Sequence, residues 1–557
     1  MTQQYYFVCS IGPVQDFIKT ARTSQDLWFG SWMLSELAKA AAKALKGHTL
    51  IFPAPEKPED LDPGSQMDVS NKVVALITDE PKEVGERVKH AVGTRLGELA
   101  KMSFDAVEAN GKFDRTLAEA QLQTLTEFYW AAAPYEEGQY AAARQRAEAL
   151  LNARKNTRKF RQAHGKDGLP KSSLDGFRES VLLKEPEGGF SFWKYKADKG
   201  EALSGVDLLK RWGQRVGGVT FESTTDIAVI PFRQGLDEHI YLTLLGDLKQ
   251  LRESLGGTKE TDGTHFYEDR MAQLIPEENV KTFRKGFGKV FNSVKSRPSP
   301  YYALLQADGD NMGKAIDHQG EVAQHRALSQ ALSDFDLEAK KIITEYKGIP
   351  VYVGGDDVLA YLPLHTALKC AQELSEAFAK AMQAFTNQAG VASTLSVGLA
   401  IAHHLTPLSD VLEQARDAEK KAKQVEGKNG LAISLSKRSG SERLVTGKVK
   451  ALADRMTELI KLIRAKAISH GAAYELEELH RRMNGSELPA DALEKEALRI
   501  LKHKRESGGD EKLSTEARKQ VEGWLKGISL SELASEMILA AELACAYDLA
   551  YPKEKQP

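Results

Sequence analysis

Two short acidic stretches carry the residues best suited to chemistry: Asp308 and Asp310 in "ADGDNMG" (307–313), and Asp356 and Asp357 in "VGGDDVL" (353–359). Carboxylates that converge from separate loops repel one another unless a cation intervenes. Magnesium or manganese suits such oxygen ligands, and Mg²⁺ commonly combines one or two carboxylates with nucleotide phosphates. Two ions of this kind can activate an attacking hydroxyl and stabilise a leaving pyrophosphate. Asp308 and Asp310, two apart on an extended stretch, are expected to point to one side; Asp356 and Asp357 must point to opposite sides, so one of that pair is the direct ligand. The expected metal set is Asp308 and Asp356, with Asp357 helping through a second ion or through the hydroxyl. Downstream, "AKQVEGKNG" (422–430) offers Lys423 and Lys428 to phosphate oxygens. Each feature alone has a plainer reading, an ordinary hairpin turn or a solvated helix end. Their order along the chain favours the chemical one.

The surrounding sequence supplies elements that would position these groups. "YYALLQADGDNMG" (301–313) is an apolar strand that breaks at acids and glycines. Leu328, Leu332, Phe335, Ala339, Ile342 and Tyr346 recur at helical spacing, and Lys347-Gly348 closes that helix. "IPVYV" and "VLAYL" flank Gly354-Gly355-Asp356-Asp357 as a hairpin, because glycine tolerates the positive φ of a tight turn. A second helix carries Ala371, Leu374, Phe378, Met382 and Phe385; "STLSVGLAIAHH" (393–404) is a strand; a third helix starts near Ser409 as N-cap, and "LAISLS" is the last strand. The order β-α-β-β-α-β-α-β begins with the split βαβ arrangement, which sets the first strand beside the hairpin in one antiparallel sheet.

Length, composition and the rest of the chain narrow the setting. With 557 residues, 42% hydrophobic and 28% charged, the chain is long enough for several domains. A net charge of -2 leaves no overall field toward nucleic acid or membrane, so such binding must be local. Cys9, Cys370 and Cys545 lie far apart among apolar neighbours, as small buried residues would, which suggests a reducing cytoplasmic setting. No apolar stretch approaches the ~18 residues of a membrane span, and the N-terminus has no basic lead or cleavage site. "YYFVCSIGPVQDFI" (5–18) repeats the pattern of "YYALLQADGDNMGKAI" (301–316), predicting a palm-like fold twice; Gly12-Pro13 stands where the acids should be, so the first copy should bind no metal. Arg154, Lys155, Arg158, Lys159 and Arg161 form a basic cluster that suits either RNA phosphates or a solvated helix end. Phe283, Phe287 and Phe291 are expected in a core with their cationic neighbours outside. His403-His404 is expected at the surface. From about 440 to 557, amphipathic segments joined by Gly, Pro and Ser breaks predict a helical bundle, with Ser529 and Glu532 spaced as a capping box.

Together "ADGDNMG", "GGDD" and "AK…GKN" resemble the nucleotide-cyclase or GGDEF type of polymerase palm, and "GGDD" resembles the palm of the large subunit of type III CRISPR effector complexes. "IGPVQDFIKTARTSQDLWFGSWMLSELAKA" (11–40), "IFPAP" (51–55), "SNKVVALIT" (70–78) and "GEALSGVDLLKR" (200–211) are similar, in order, to that subunit of the Cmr class, type III-B. The resemblance implies an α+β chain with two ferredoxin-like palms and helical domains: a degenerate palm over 1–165, a mostly helical region over 166–295, an active palm over 296–437 and a helical bundle over 438–557. Many relatives carry two zinc-binding cysteines where Ser172 and Asp175 stand here, so no zinc is expected. Many also begin with a His-Asp nuclease domain; no His-Asp pair occurs in this sequence, and no such nuclease activity is expected.

The resulting expectation is an RNA-guided defence subunit that makes a nucleotide second messenger, a cyclic oligoadenylate, from ATP with two Mg²⁺ or Mn²⁺ ions. Asp308, Asp356 and Asp357 are the catalytic and metal residues; Gly309, Asn311, Gly354, Gly355, Lys423 and Lys428 are the nucleotide-binding ones. The 3′-hydroxyl of one ATP would attack the α-phosphate of another, mostly by positioning and metal electrostatics. The adenosine preference, activation by target RNA, and partners comprising guide RNA, target RNA and other Cmr-class subunits including the small helical one come from the resemblance, not from the residues. A conjugating enzyme that joins ATP to S-adenosylmethionine, a stand-alone diguanylate cyclase and a nonenzymatic scaffold are the alternatives; the retained acids weigh against the last.

Overall fold

The computed structural model describes residues 3–157, 168, 170–184, 195–197, 200–217, 221–257, 261–294, 296–437, 442–483, 490–503 and 515–552. Arg158, Lys159 and Arg161 of the predicted basic cluster lie outside the described residues. Arg154 instead lies over the Trp130 ring, 4.7 Å from its centroid, and donates to the Trp130 carbonyl at 2.6 Å.

The N-terminal unit runs β1 (Gln4–Gly12), α1 (Gln15–Lys19), α2 (Ser24–Lys43), β2 (Thr49–Phe52), β3 (Lys72–Ile77), α3 (Pro81–Glu108), α4 (Arg115–Leu122), β4 (Glu127–Tyr135) and α5 (Tyr140–Asn156). Its sheet has the antiparallel order β2-β3-β1-β4. Because successive strand side chains face opposite ways, β1 serves two cores. Tyr6 and Val8 pack with Tyr140, Ala143 and Leu151 of α5, while Phe7, Cys9 and Ile11 join the larger core under α2 and α3.

Helices α6 (Gly205–Gly217), α7 (Thr224–Gly235), α8 (Glu238–Ser254), α9 (Glu268–Leu274) and α10 (Val280–Phe291) follow. Phe283, Phe287 and Phe291, four apart on α10, are buried in the same large core, as their spacing predicts. Ser172 donates to Asp207 at 2.7 Å and Asp175 pairs with Arg178 at 2.8 Å, so both residues at the zinc-ligand positions of the resembled family are engaged in local hydrogen bonding.

The second palm comprises β5 (Tyr301–Gly309), α11 (Met312–His318), α12 (Val322–Glu345), β6 (Ile349–Gly354), β7 (Asp357–Leu362), α13 (Ala367–Ala381), β8 (Leu395–His403), α14 (Leu408–Lys423), β9 (Gly430–Leu435) and β10 (Arg443–Lys448). Its sheet order is β10-β9-β8-β5-β7-β6, with β8 and β9 parallel. The inner order β8-β5-β7-β6 matches that of the first sheet, so the ferredoxin-like pattern occurs twice. Three details differ from the sequence expectation. A short helix, α11, intervenes after the acidic loop; α14 is capped at Pro407, two residues before the capping role assigned to Ser409; and β10 adds an edge strand. Proline at Ncap fixes the chain direction into α14 without a side-chain cap, which sequence rules for Ser and Thr do not detect.

The palms touch through α12 and α5. Tyr140 and His325 share a 2.6 Å hydrogen bond, Arg144 donates to Asp317 at 2.8 Å, and Arg326 donates to the Leu50 carbonyl. The C-terminal helices α15 (Val449–Arg464), α16 (His470–Met483), α17 (Ala490–His503), α18 (Thr515–Leu525) and α19 (Leu530–Ala550) share the second palm's core. The Ser529–Glu532 capping box is present, with Ser529 Oγ accepting from the Glu532 amide at 3.2 Å. Two expectations fail on burial. His404 is buried against Tyr267, ring centroids 4.3 Å apart, because the chain after β8 lies against the start of α9, where Arg270 donates to the His404 carbonyl at 3.2 Å. Cys545 is exposed, whereas Cys9 and Cys370 are buried; α19 is apolar on nearly every side, so neighbours in sequence do not indicate which face is covered. No helix among the described residues is long and apolar enough to cross a membrane.

Gly398 on β8 lets α14 lie close: a Cβ there would fall 2.3 Å from the Glu419 backbone nitrogen and 2.8 Å from the Ala415 carbonyl oxygen. Overpacking of this kind costs about 1–3 kcal/mol, and for a unit of this size about 2–4 °C is lost per kcal/mol. Gly398→Val is therefore expected to lower the thermal unfolding midpoint by roughly 2–12 °C, and an unchanged midpoint would contradict the close approach.

Candidate active site

The acids meet because of sheet register. β5 and β7 pair antiparallel with Asp308 opposite Asp357, and β6 and β7 close with Gly354 opposite Asp357. Gly355 and Asp356 are thus the two central residues of the turn. Gly355 has φ +72° and Asp356 does not share a positive φ, the pattern of a type II′ hairpin, which requires glycine first. The Gly309 amide donates to the Asp356 carbonyl at 3.0 Å, tying the end of β5 to the hairpin tip. A Cβ on Gly309 would lie 2.7 Å from Asp356 Cβ, so only glycine permits this approach. Gly354 is crowded by Tyr352, whose hydroxyl would stand 2.6 Å from an added Cβ.

Opposite these acids stands the end of α14. Lys423 Nζ lies 2.6 Å from Asp308 Oδ2 and 3.4 Å from Glu419 Oε1, one helical turn back. Burial is the largest single influence and works against the lysine's charge, but the hydrogen bonds and negative charges of Asp308 and Glu419 together outweigh it and hold the pKa above the ordinary range. Burial, then repulsion from Asp308, pushes Asp356 up to about 6. Asp357 is raised well above the usual carboxylate range by its surroundings and by repulsion from Asp356 and Asp308, although its side chain reaches solvent. Glu419, buried beside them, is raised as well, chiefly by burial.

Asp308, Asp356, Asp357, Gly309 and Lys423 are brought together, as their order along the chain suggests. Asp310 turns inward instead. It is fully buried, accepts from Thr394 Oγ1 at 2.7 Å, from Ser396 Oγ at 2.8 Å and from the Asn429 amide at 3.0 Å, and so anchors the 425–429 turn to β5. Lys428 sits on that turn at φ +57°, its carbonyl accepting from Lys448 Nζ at 2.6 Å. Asn311 lies in the left-handed region at the start of α11, φ +60°. Glu419 was not anticipated, although its position four residues before Lys423 is the helical pairing pattern. The cavities of about 880 Å³, beside Arg297 and Arg464, and about 1030 Å³, beside Phe221 and Tyr241, are lined by none of these residues.

Hard oxygen donors under mutual repulsion, with one lysine to offset them, suit a divalent ion such as Mg²⁺. Among the described residues no group of three or more His, Cys, Asp or Glu side chains is already arranged to hold a metal ion, and Lys423 now fills the cationic role at Asp308.

Comparison with known proteins shows which families these segments are similar to. Residues 301–432 match the model of the Cas10/Cmr2 second palm domain, and residues 6–101 match that of the N-terminal region of CRISPR-associated protein Cmr2. A curated relative, the CRISPR system Cmr subunit Cmr2 of Pyrococcus furiosus, is 27% identical over 538 residues, covering 77% of this chain. Two separate segments of the chain are thus similar to Cas10/Cmr2 domains. The chain spans 61% of the length of that Pyrococcus relative. In fold it is similar to a chain of the type III-B Cmr-beta complex in the apo state, with TM-score 0.62, 14% identity and coverage of 90% of this chain and 77% of that one. It is likewise similar to a chain of Cmr-beta bound to cognate target RNA, with TM-score 0.64, 15% identity and coverage of 93% and 80%.

The raised carboxyl pKa values carry a stability consequence. The folded protein holds these protons more tightly than the unfolded chain, so the penalty is absent below the ordinary carboxylate range and grows as pH rises through about 6 for Asp356. Asp356→Asn is expected to raise the thermal midpoint relative to the parent at about pH 7.5, with the gap closing toward about pH 4. A gap independent of pH would contradict the assignment.

Proposed function

We propose that this chain is a subunit of a type III CRISPR effector complex and a nucleotidyltransferase that joins ATP molecules into a signalling oligoadenylate when target RNA is bound. The observation that supports the reading most is the register of β5 and β7, which sets Asp308 opposite Asp357 with Asp356 beside them and Lys423 across from them. Similarity to the Cas10/Cmr2 models and to the Pyrococcus Cmr2 subunit supports the assembly context: guide RNA, target RNA and other Cmr-class subunits, the small helical one among them, as partners in the cytoplasm.

Asp308, Asp356 and Asp357 would hold two Mg²⁺ or Mn²⁺ ions, which when bound supply Lewis-acid polarisation of phosphoryl oxygens and ease ionisation of the attacking hydroxyl. The chain's own contribution is placement and charge. Asp308 and Asp356 would hold the metal, and Asp357, opposite Asp308 in the register, would help through the second ion or through the hydroxyl. Freed from Asp308, Lys423 can turn its ammonium to the triphosphate, and its helix end keeps it close. Gly309 and Gly354 let the protein's own Asp356 and Tyr352 pack close, while Gly355, with nothing nearer than the Phe52 ring at 3.9 Å, is the glycine that leaves room for a substrate at the turn. No serine, cysteine or histidine nucleophile is needed, because attack of one ribose hydroxyl on an α-phosphate is favoured by alignment and electrostatics.

The test incubates the assembled complex with labelled ATP, Mg²⁺ and matched target RNA, with and without S-adenosylmethionine, and separates the products. The parent is expected to form oligoadenylates; Asp356→Ala/Asp357→Ala should reduce formation by about 100-fold or more, the scale of losing transition-state electrostatics. Parent-like product from the double variant would refute the site. Product formed only with S-adenosylmethionine would refute the oligoadenylate assignment.

A further inference from the structure

The hairpin that carries Asp356 and Asp357 is held from behind by a residue outside the acidic motifs. Asp336 lies midway along α12 and is buried, 6% exposed. Its Oδ2 accepts from the Gly355 amide at 3.1 Å, and its Oδ1 has no hydrogen-bond partner among the described residues. One turn on, Lys340 Nζ reaches Asp68 Oδ2 at 2.9 Å and the Gln66 carbonyl at 2.7 Å, both on the loop before β3 of the first palm. Phe52, at the end of β2, brings its ring to within 3.9 Å of where a Gly355 Cβ would be. The first palm and α12 therefore converge on the tip of the second palm's acidic hairpin.

We infer that Asp336 is a positioning residue, whose acceptor oxygen selects the one Gly354–Gly355 turn geometry that aims Asp356 and Asp357 at Asp308. The inference rests on the nucleotidyltransferase reading above. A glycine at positive φ in a two-residue turn has no side chain to fix its peptide orientation, so a polar partner for the amide does that work. Leaving that buried amide unpaired costs about 1–3 kcal/mol, enough to populate other turn geometries. A misplacement of ~1 Å can cost about 100-fold in rate. Burial holds the Asp336 carboxyl well above the ordinary range. In its neutral form the carbonyl oxygen still accepts, which makes asparagine a close mimic and leucine a same-sized residue without an acceptor.

The experiment compares Asp336→Asn, Asp336→Leu and Asp336→Ala with the parent and with Asp356→Ala/Asp357→Ala, in the assembled complex with ATP, Mg²⁺ and target RNA. Amide hydrogen exchange of the 351–359 segment is measured alongside. Leucine and alanine are expected to lower kcat by about tenfold or more with KM for ATP within about twofold, and to speed exchange at the hairpin tip; asparagine should keep kcat and exchange within about threefold of the parent. Parent-like kcat and exchange in Asp336→Leu would overturn the inference, as would an Asp336→Asn as defective as Asp336→Leu. If Asp336→Ala does not fold, the leucine and asparagine variants decide. If the double variant is as active as the parent, the nucleotidyltransferase reading fails, and the exchange data still decide whether Asp336 sets the turn.

Discussion

Charge repulsion among Asp308, Asp356 and Asp357 is the constraint on which the rest of the second palm depends. Antiparallel register places Asp308 opposite Asp357, and the Gly309 amide binds the Asp356 carbonyl, so the three acids cannot move apart without breaking the sheet. Like charges held this close are tolerable only where something compensates them. Lys423 does so at Asp308, and the remaining imbalance appears as raised pKa values at Asp356 and Asp357. This electrostatic imbalance is what supports the proposed uptake of cations together with a polyphosphate.

The scaffold meets that demand by burial on both faces. β5 is flanked by β8 and β7 in mid-sheet, with Leu304 in one core and Ala303, Leu305 and Ala307 in the other. Asp310 adds a second fixed point, joining β5 to β8 and to the turn beyond α14 through Thr394, Ser396 and Asn429. Thus the helix bearing Lys423 and the strand bearing Asp308 are set against each other at both ends: by Gly398 packing against α14 and by Asp310 beneath the turn. The first palm offers no equivalent acids on β1. It contributes instead a surface against α12.

Much of this was legible in the sequence because local rules determine it. Period-two and helical patterns fix the strands and helices of the second palm, and Gly-Gly-Asp-Asp has few conformations other than a tight hairpin. The spacing of Phe283, Phe287 and Phe291 gives their burial directly. What sequence could not supply depends on long-range contact. The inward turn of Asp310 is set by Thr394 and Ser396, eighty-odd residues away in sequence. Asp336 sits in an ordinary amphipathic helix and gains its role only from the Gly355 amide. His404 and Cys545 were misplaced because their exposure is decided by α9 and by the packing of α19, not by neighbours in the chain.

Direct binding of a divalent ion tests the central claim most closely. Titrating Mn²⁺ into the full chain with ATP present, and following free Mn²⁺ by electron paramagnetic resonance, should show binding by the parent that is lost in Asp308→Ala and in Asp356→Ala. Equal Mn²⁺ binding by the parent and both variants would contradict the account.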